Sequence, residues 1–232
     1  MGDLVAEIRE GLAALADPAR AGPMRAYMKS AMPMLGVQST PRRKLVRAAL
    51  AAHPPASFEA LRAVVLELWD QATAREERYA AIDLLTAPRS ARWLGPAALP
   101  LVADLVVQGA WWDLVDPLAT GAAGTILRAD PAAARPVVLG WSRDPDLWLR
   151  RTAISCQVGS KTATDLELLY ACIEPSLAER DFFLRKAIGW ALRQYAWTDP
   201  DEVARYLRDN ADRLSPLSRR EAGRNLPGKE RA

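Results

Sequence analysis

Apolar residues recur along this chain at helical spacing almost throughout. Leu61, Val64, Val65 and Leu68 stand at i, i+3, i+4 and i+7, and Leu99, Val102, Leu105 and Val106 do likewise. That spacing lines one face of a helix with apolar side chains. No stretch alternates apolar and polar residues as a half-buried strand would. Helix entries are punctuated by a short polar residue followed by proline, at Thr40-Pro41, Asp130-Pro131, Asp199-Pro200 and Ser215-Pro216. The polar side chain accepts from the open N–H groups of the first turn, and proline at the first helical position loses no hydrogen bond. Ser57 and Thr162 are further expected caps. The pattern predicts helices over about 3–15, 23–31, 41–52, 58–72, 75–86, 96–108, 111–125, 131–142, 146–158, 163–174, 181–197, 200–210 and 216–225.

A repeat runs through these helices. Ala81-Ile82, Ala153-Ile154 and Ala187-Ile188 sit in similar contexts, with Leu118 in the slot between the first two. Six residues before each slot stand Glu76, Trp112, Trp148 and Phe182. A period near 36 with two helices per period is an α-solenoid pattern of degenerate HEAT-like repeats. A four-helix bundle fits a dozen short helices badly. The fold class expected is therefore all-α, with residues 1–232 forming a single repeat domain and a tail over 226–232 disordered. A solenoid turns one helix of each pair to a concave face, here expected to be basic.

Composition narrows the chemistry. The chain has 232 residues, formal net charge +3, half its residues hydrophobic and a quarter charged, which excludes wholesale disorder. Met1–Glu7 shows no basic region leading into an apolar run, so no secretory signal is expected. No 18-residue stretch lacks both charge and proline, so no membrane helix is expected either. A cytoplasmic protein follows, with Cys156 and Cys172 as buried thiols. His53 is the only histidine and sits beside Pro54 and Pro55, so a Ser-His-Asp triad or a His-rich metal site would rest on it alone. Neither nucleotide-binding glycine fingerprint is present. No cofactor and no metal are expected.

Charge and aromatics supply the candidate sites. Between Pro18 and Phe58 there is no Asp or Glu, while Arg20, Arg25, Lys29, Arg42, Arg43, Lys44 and Arg47 fall there. Helices of about 1–52 thus carry the strongest basic run, which suits phosphate or an acidic partner but equally a solvated face. In Trp111-Trp112-Asp113-Leu114-Val115-Asp116, Trp112 and Asp116 share a helix face. An aromatic beside a carboxylate suits a cationic ligand, though a core Trp with a salt-bridged Asp has the same spacing. Arg185, Lys186 and Arg193 share a helix with Trp190, and Trp112, Arg151 and Trp190 are spaced 39 residues apart. Basic residues interleaved with aromatics at the repeat length favour nucleic acid over an ordinary solenoid core. The run Gly36–Arg43 reads as a turn feeding a basic helix whose N-terminus favours phosphate.

At these residues the sequence resembles the DNA alkylation repair (AlkD-like) DNA glycosylases, which are HEAT-like solenoids. The matching stretches are Tyr-Met-Lys-Ser at 27–30, Leu-Gly-Val-Gln-Ser-Thr-Pro-Arg-Arg at 35–43, Glu-Arg-Tyr-Ala-Ala-Ile-Asp-Leu-Leu at 77–85, Trp-Trp-Asp-Leu-Val-Asp at 111–116, Trp-Leu-Arg-Arg-Thr-Ala-Ile at 148–154 and Phe-Phe-Leu-Arg-Lys-Ala-Ile-Gly-Trp-Ala-Leu-Arg-Gln-Tyr at 182–195. The resemblance implies hydrolytic excision of N3- and N7-alkylated purines from duplex DNA by a monomer, without flipping the base. It implies Asp116 as catalytic carboxylate, Trp112 and Trp190 flanking the deoxyribose, Arg151 anchoring the backbone and Tyr27 approaching the DNA from the N-terminal side. Lys29, Arg42, Arg43, Arg185, Lys186 and Arg193 complete the expected DNA contacts. Two other readings stay open: a non-catalytic helical-repeat protein that binds DNA, and a protein-interaction scaffold.

Overall fold

The computed structural model describes residues 2–227 and is all-α, with no strand among them. Two compact units follow one another, the first ending at Leu94 and the second starting at Gly95. The C-terminal part of the tail expected over 226–232 lies outside the described residues, but Leu226 itself packs against the core.

The first unit holds α1 (Gly2–Ala14), α2 (Pro18–Met28), α3 (Ser39–Ala52), α4 (Phe58–Asp70) and α5 (Arg75–Leu85), then a 3-10 turn at Pro88–Trp93. The α4 stripe is buried as the spacing predicts: Leu61, Val64, Val65 and Leu68 pack with Trp69 behind α5. Helix α2 begins earlier than expected because Asp17-Pro18 is itself a cap-and-proline entry, the Asp17 carboxylate accepting from the N–H of Ala19 and Arg20. Gly36 shapes the following loop. Its φ of +84° suits glycine, and a Cβ there would run into the Asp17 carbonyl. The loop is fixed by the buried Glu76 carboxylate, which accepts the N–H groups of Leu35, Gly36 and Val37 at 3.0, 2.9 and 3.2 Å.

The second unit holds α6 (Leu99–Gly109), α7 (Trp112–Pro117), α8 (Gly124–Ala129), α9 (Pro131–Trp141), α10 (Leu147–Ser155), α11 (Leu166–Ile173), α12 (Phe182–Tyr195), α13 (Pro200–Asp209) and α14 (Pro216–Ala222). Asp130, Asp199, Ser215 and, in the first unit, Ser57 cap their helices as predicted. Thr40 does not, because α3 already starts at Ser39, and Thr162 sits in a 3-10 turn while Asp165 caps α11. The single helix expected over 111–125 is divided. Pro117 has no N–H to give the α ladder, and the chain widens to a π-helix over Leu118–Ala123 before α8 resumes. The Thr120 hydroxyl donates to the Asp116 carbonyl across the widened turn, at 2.9 Å.

The repeat slots Ile82, Leu118, Ile154 and Ile188 are all buried. Helix α10 is central to the second unit, packing on α6, α9, α11 and α12, and α12 in turn lies closely against α14. Ile154, Leu184, Ile188, Leu192, Val203 and Tyr206 join α10, α12 and α13 in one apolar cluster. The aromatic register differs by one residue from the repeat expectation. Trp111 and Phe183, rather than Trp112 and Phe182, pack around Trp148, with ring centroids 6.2 and 4.9 Å from it. Cys156 and Cys172 are both free thiols and buried, and burial raises the pKa of each. Among the described residues no helix is long and apolar enough to cross a membrane.

Candidate active site and nucleic-acid interface

Helix α7 places Trp112 and Asp116 one turn apart, both partly buried. Across from α7, α10 starts at an Asp146 cap and carries Arg151. Its guanidinium donates from Nε to one oxygen of Asp116 and from Nη2 to the other, each at 2.8 Å. The remaining nitrogen, Nη1, donates to the Phe183 carbonyl in the first turn of α12 at 2.7 Å. One planar fork therefore links three helices and fixes both oxygens of a carboxylate whose side chain is 20 % exposed. The rings of Trp111, Trp148 and Phe183 form an apolar cluster beside this link.

The electrostatics of Asp116 are a contest. Burial pushes its carboxyl above the ordinary aspartate range and the nearby Asp113 adds to that, while the hydrogen bonds and charge of Arg151 pull it down, with burial the larger. The result is a carboxylate that is poorly hydrated and rigidly aimed. A negative charge of this kind attracts a developing cation more strongly than one in bulk water.

Helix α12 brings Trp190, Lys186 and Arg193 to one face, since positions 186, 190 and 193 lie within less than a quarter turn of each other. Phe182 and Trp197, at the two ends of the same stripe, are exposed. Arg185 is turned away and donates to the Glu179 carbonyl. Lys186 and Arg193 both reach the Glu221 carboxylate on α14, at 3.0 Å each. Their pairing with Glu221 was not legible in the sequence, because they stand 28 or more positions from it with the whole of α13 between. The Asp116–Arg151 link did leave a trace, in that 35 residues is close to one repeat.

In the first unit the expected DNA contacts divide. The Tyr27 ring at the end of α2 is 72 % exposed, and Lys29 follows as the left-handed cap residue of that helix, also exposed. Arg42 is buried, donating to Asp83 at 2.7 Å with its guanidinium 4.7 Å from the centre of the Tyr79 ring. Arg43 shares Asp83 from the outside at 3.3 Å and stays exposed, as do Lys44 and Arg47. Among the described residues no group of three or more His, Cys, Asp and Glu is arranged to hold a metal ion.

Comparison with known proteins adds two findings. The sequence matches the family described as DNA alkylation repair enzyme over residues 8–226. A solved structure, a "Predicted DNA alkylation repair enzyme from Enterococcus faecalis", is 30 % identical, superposes with a TM-score of 0.80, and is matched over 92 % of this chain and 98 % of its own. No curated protein matches the sequence significantly.

Proposed function

The chain belongs to the DNA alkylation repair enzyme family, an all-α family of helical repeats, and from that premise we propose that it is a monomeric DNA glycosylase. It excises N3- and N7-alkylated purines from duplex DNA by hydrolysing the N-glycosidic bond, without metal or organic cofactor and without flipping the base. The observation that carries this reading is the Asp116 carboxylate, held through both oxygens by Arg151, raised in pKa by burial, and carried on the same helix face as Trp112.

The chemistry fits that arrangement. An alkylated purine of this type is cationic, so its bond to C1′ breaks with the electron pair passing to the base, which leaves neutral. Positive charge then develops on the sugar. Asp116 stabilises that charge and orients water, which adds to C1′ and releases a proton, giving an abasic sugar. Trp112 and Trp190 offer ring faces to the cationic sugar, adding attraction where water is thin. No group need protonate the leaving base, so the single histidine, an exposed side chain paired with Glu7, is not called on. Arg151 acts here first as the orienter of Asp116. Its expected contact with the DNA backbone would have to be made by a guanidinium whose nitrogens already hold Asp116 and the Phe183 carbonyl. Tyr27, Lys29, Arg43 and Lys186 are sufficiently exposed to meet phosphates.

The same ion pair favours a second reading, a DNA-binding protein without turnover, in which Asp116 and Arg151 are a satisfied structural pair. Release of 7-methylguanine from methylated duplex DNA separates the two. The wild type is expected to release the base, and Asp116→Asn to bind DNA equally well while losing about 10²–10³-fold in rate, the usual scale for one electrostatic group aimed at a transition state. Bound DNA with no release by either protein would establish the second reading.

A further inference from the structure

Glu221 lies at the junction of α12 and α14, and its side chain is only 2 % exposed. Three cations converge on it: Lys186 at 3.0 Å, Arg193 at 3.0 Å and Arg224 at 2.9 Å. One negative charge therefore holds three positive ones, and two positive charges are left over within a few ångströms. Like charges that close repel, so such a cluster is best satisfied when a further anion joins it. The helices are built to bring Glu221 this near. Gly189 on α12 faces it, where a Cβ would collide with the Cβ of Glu221 and stand 3.0 Å from the Ser218 carbonyl. Two hydrogen bonds fix the seam: Ser218 Oγ donates to the Arg185 carbonyl at 2.9 Å, and Asn225 Nδ2 to the Arg193 carbonyl at 3.0 Å. The outer cation, Arg224, keeps a side chain 55 % exposed, and Lys186 keeps 33 %. Lys186 and Arg193 also flank Trp190 on the same stripe of α12.

We propose that Glu221 is a positioning residue that gathers Lys186, Arg193 and Arg224 into a clamp for the backbone phosphates of duplex DNA, with Arg224 as its outermost contact. The inference rests on the reading that duplex DNA lies along the Trp190 face of α12. It adds a residue that no motif marks, and a function for a buried acid that would otherwise oppose an anionic partner. A phosphate accepts from all three cations at once, and two phosphates neutralise the excess charge. The clamp reads no base, so it strengthens binding to damaged and undamaged duplex alike.

The test is the salt dependence of binding to a short, fluorescently labelled undamaged DNA duplex, measured on the whole chain. Arg224→Ala is expected to lower the slope of log K against log salt by about 0.9, the value for one lost phosphate contact. Because its side chain is mostly exposed, this variant is expected to melt with the wild type. Glu221→Gln is expected to weaken binding roughly five-fold although it removes a negative charge, because the long cations must then be ordered on binding. Glu221→Asp, which keeps the charge, recovers part of that loss. An Arg224→Ala slope equal to that of the wild type, or a Glu221→Gln variant that binds more tightly, overturns the clamp. Base release is scored in parallel on methylated duplex. A lowered slope without base release by the wild type supports the clamp and overturns the glycosylase reading, while base release with an unchanged slope overturns the clamp alone. A wild type that fails to bind duplex overturns both.

Discussion

At Asp116 two opposing effects set the protonation of the carboxylate, and their balance gives a testable pH dependence. Burial raises its pKa, and Arg151 limits the rise. In the proposed mechanism Asp116 acts ionised, so the rate of base release is expected to fall on acidification at a pH above that of an ordinary aspartate. Arg151→Gln removes the charge that favours ionisation. The acid limb of single-turnover excision should then move to still higher pH, and an acid limb that stays in place would remove Asp116 from the rate-determining ionisation. The same substitution leaves a mostly buried carboxylate unpaired, with a cost of about 3–5 kcal/mol, so the profile is taken below the variant's own melting temperature. Arg42 shows the residue scale from the other side. It falls in the basic run, but pairing with Asp83 and contact with the Tyr79 ring fold it into the first unit.

At the scale of elements, the seam between α12 and α14 and the break after α7 matter most. Gly189 allows α14 to approach α12 closely enough for the buried Glu221 to reach both Lys186 and Arg193. Gly189→Ala places a methyl group against the Glu221 side chain and the Ser218 carbonyl, an overpacking that costs about 1–3 kcal/mol. The expected outcome is a lower melting temperature together with weaker DNA binding; an unchanged melting temperature would show that the two helices separate cheaply. At α7, Pro117 ends the α ladder directly after Asp116, and the wider π turn that follows holds the Asp116 carbonyl through Thr120. A carboxylate at such a break is fixed through its backbone as well as through Arg151.

For the whole molecule, charge is distributed unevenly along the chain. Up to Leu94 there are thirteen Lys and Arg against ten Asp and Glu, and from Gly95 onward eighteen against eighteen. The entire net charge of +3 therefore belongs to the first unit, while the second carries the candidate carboxylate and a balanced surface with a local cationic cluster. Replacing both Lys29 and Arg43 with alanine is expected to weaken binding to damaged and undamaged duplex by the same factor and to lower the salt slope by about 1.8. A selective loss for damaged DNA would instead place these residues at the lesion.

The sequence by itself determined most of the helices, the caps at Ser57, Asp130, Asp199 and Ser215, the repeat slots and the pairing of Trp112 with Asp116 on one face, because each of these is set by regular spacing along the chain. Ile82, Leu118, Ile154 and Ile188 are buried where a period near 36 puts them. What it left open depended on contacts between distant elements. A run of seven cations does not reveal which of them meet Asp83, and Glu221 does not reveal that two cations of α12 converge on it beside its neighbour Arg224. The one-residue shift from Trp112 and Phe182 to Trp111 and Phe183 in the aromatic cluster is of the same kind, since helix rotation is set by packing on the neighbour. The repeat length brings Arg151 near Asp116, but tertiary structure decided that its guanidinium turns onto that carboxylate. Ion pairs between helices require both backbones to be placed within a few ångströms, and local spacing carries no information on that placement.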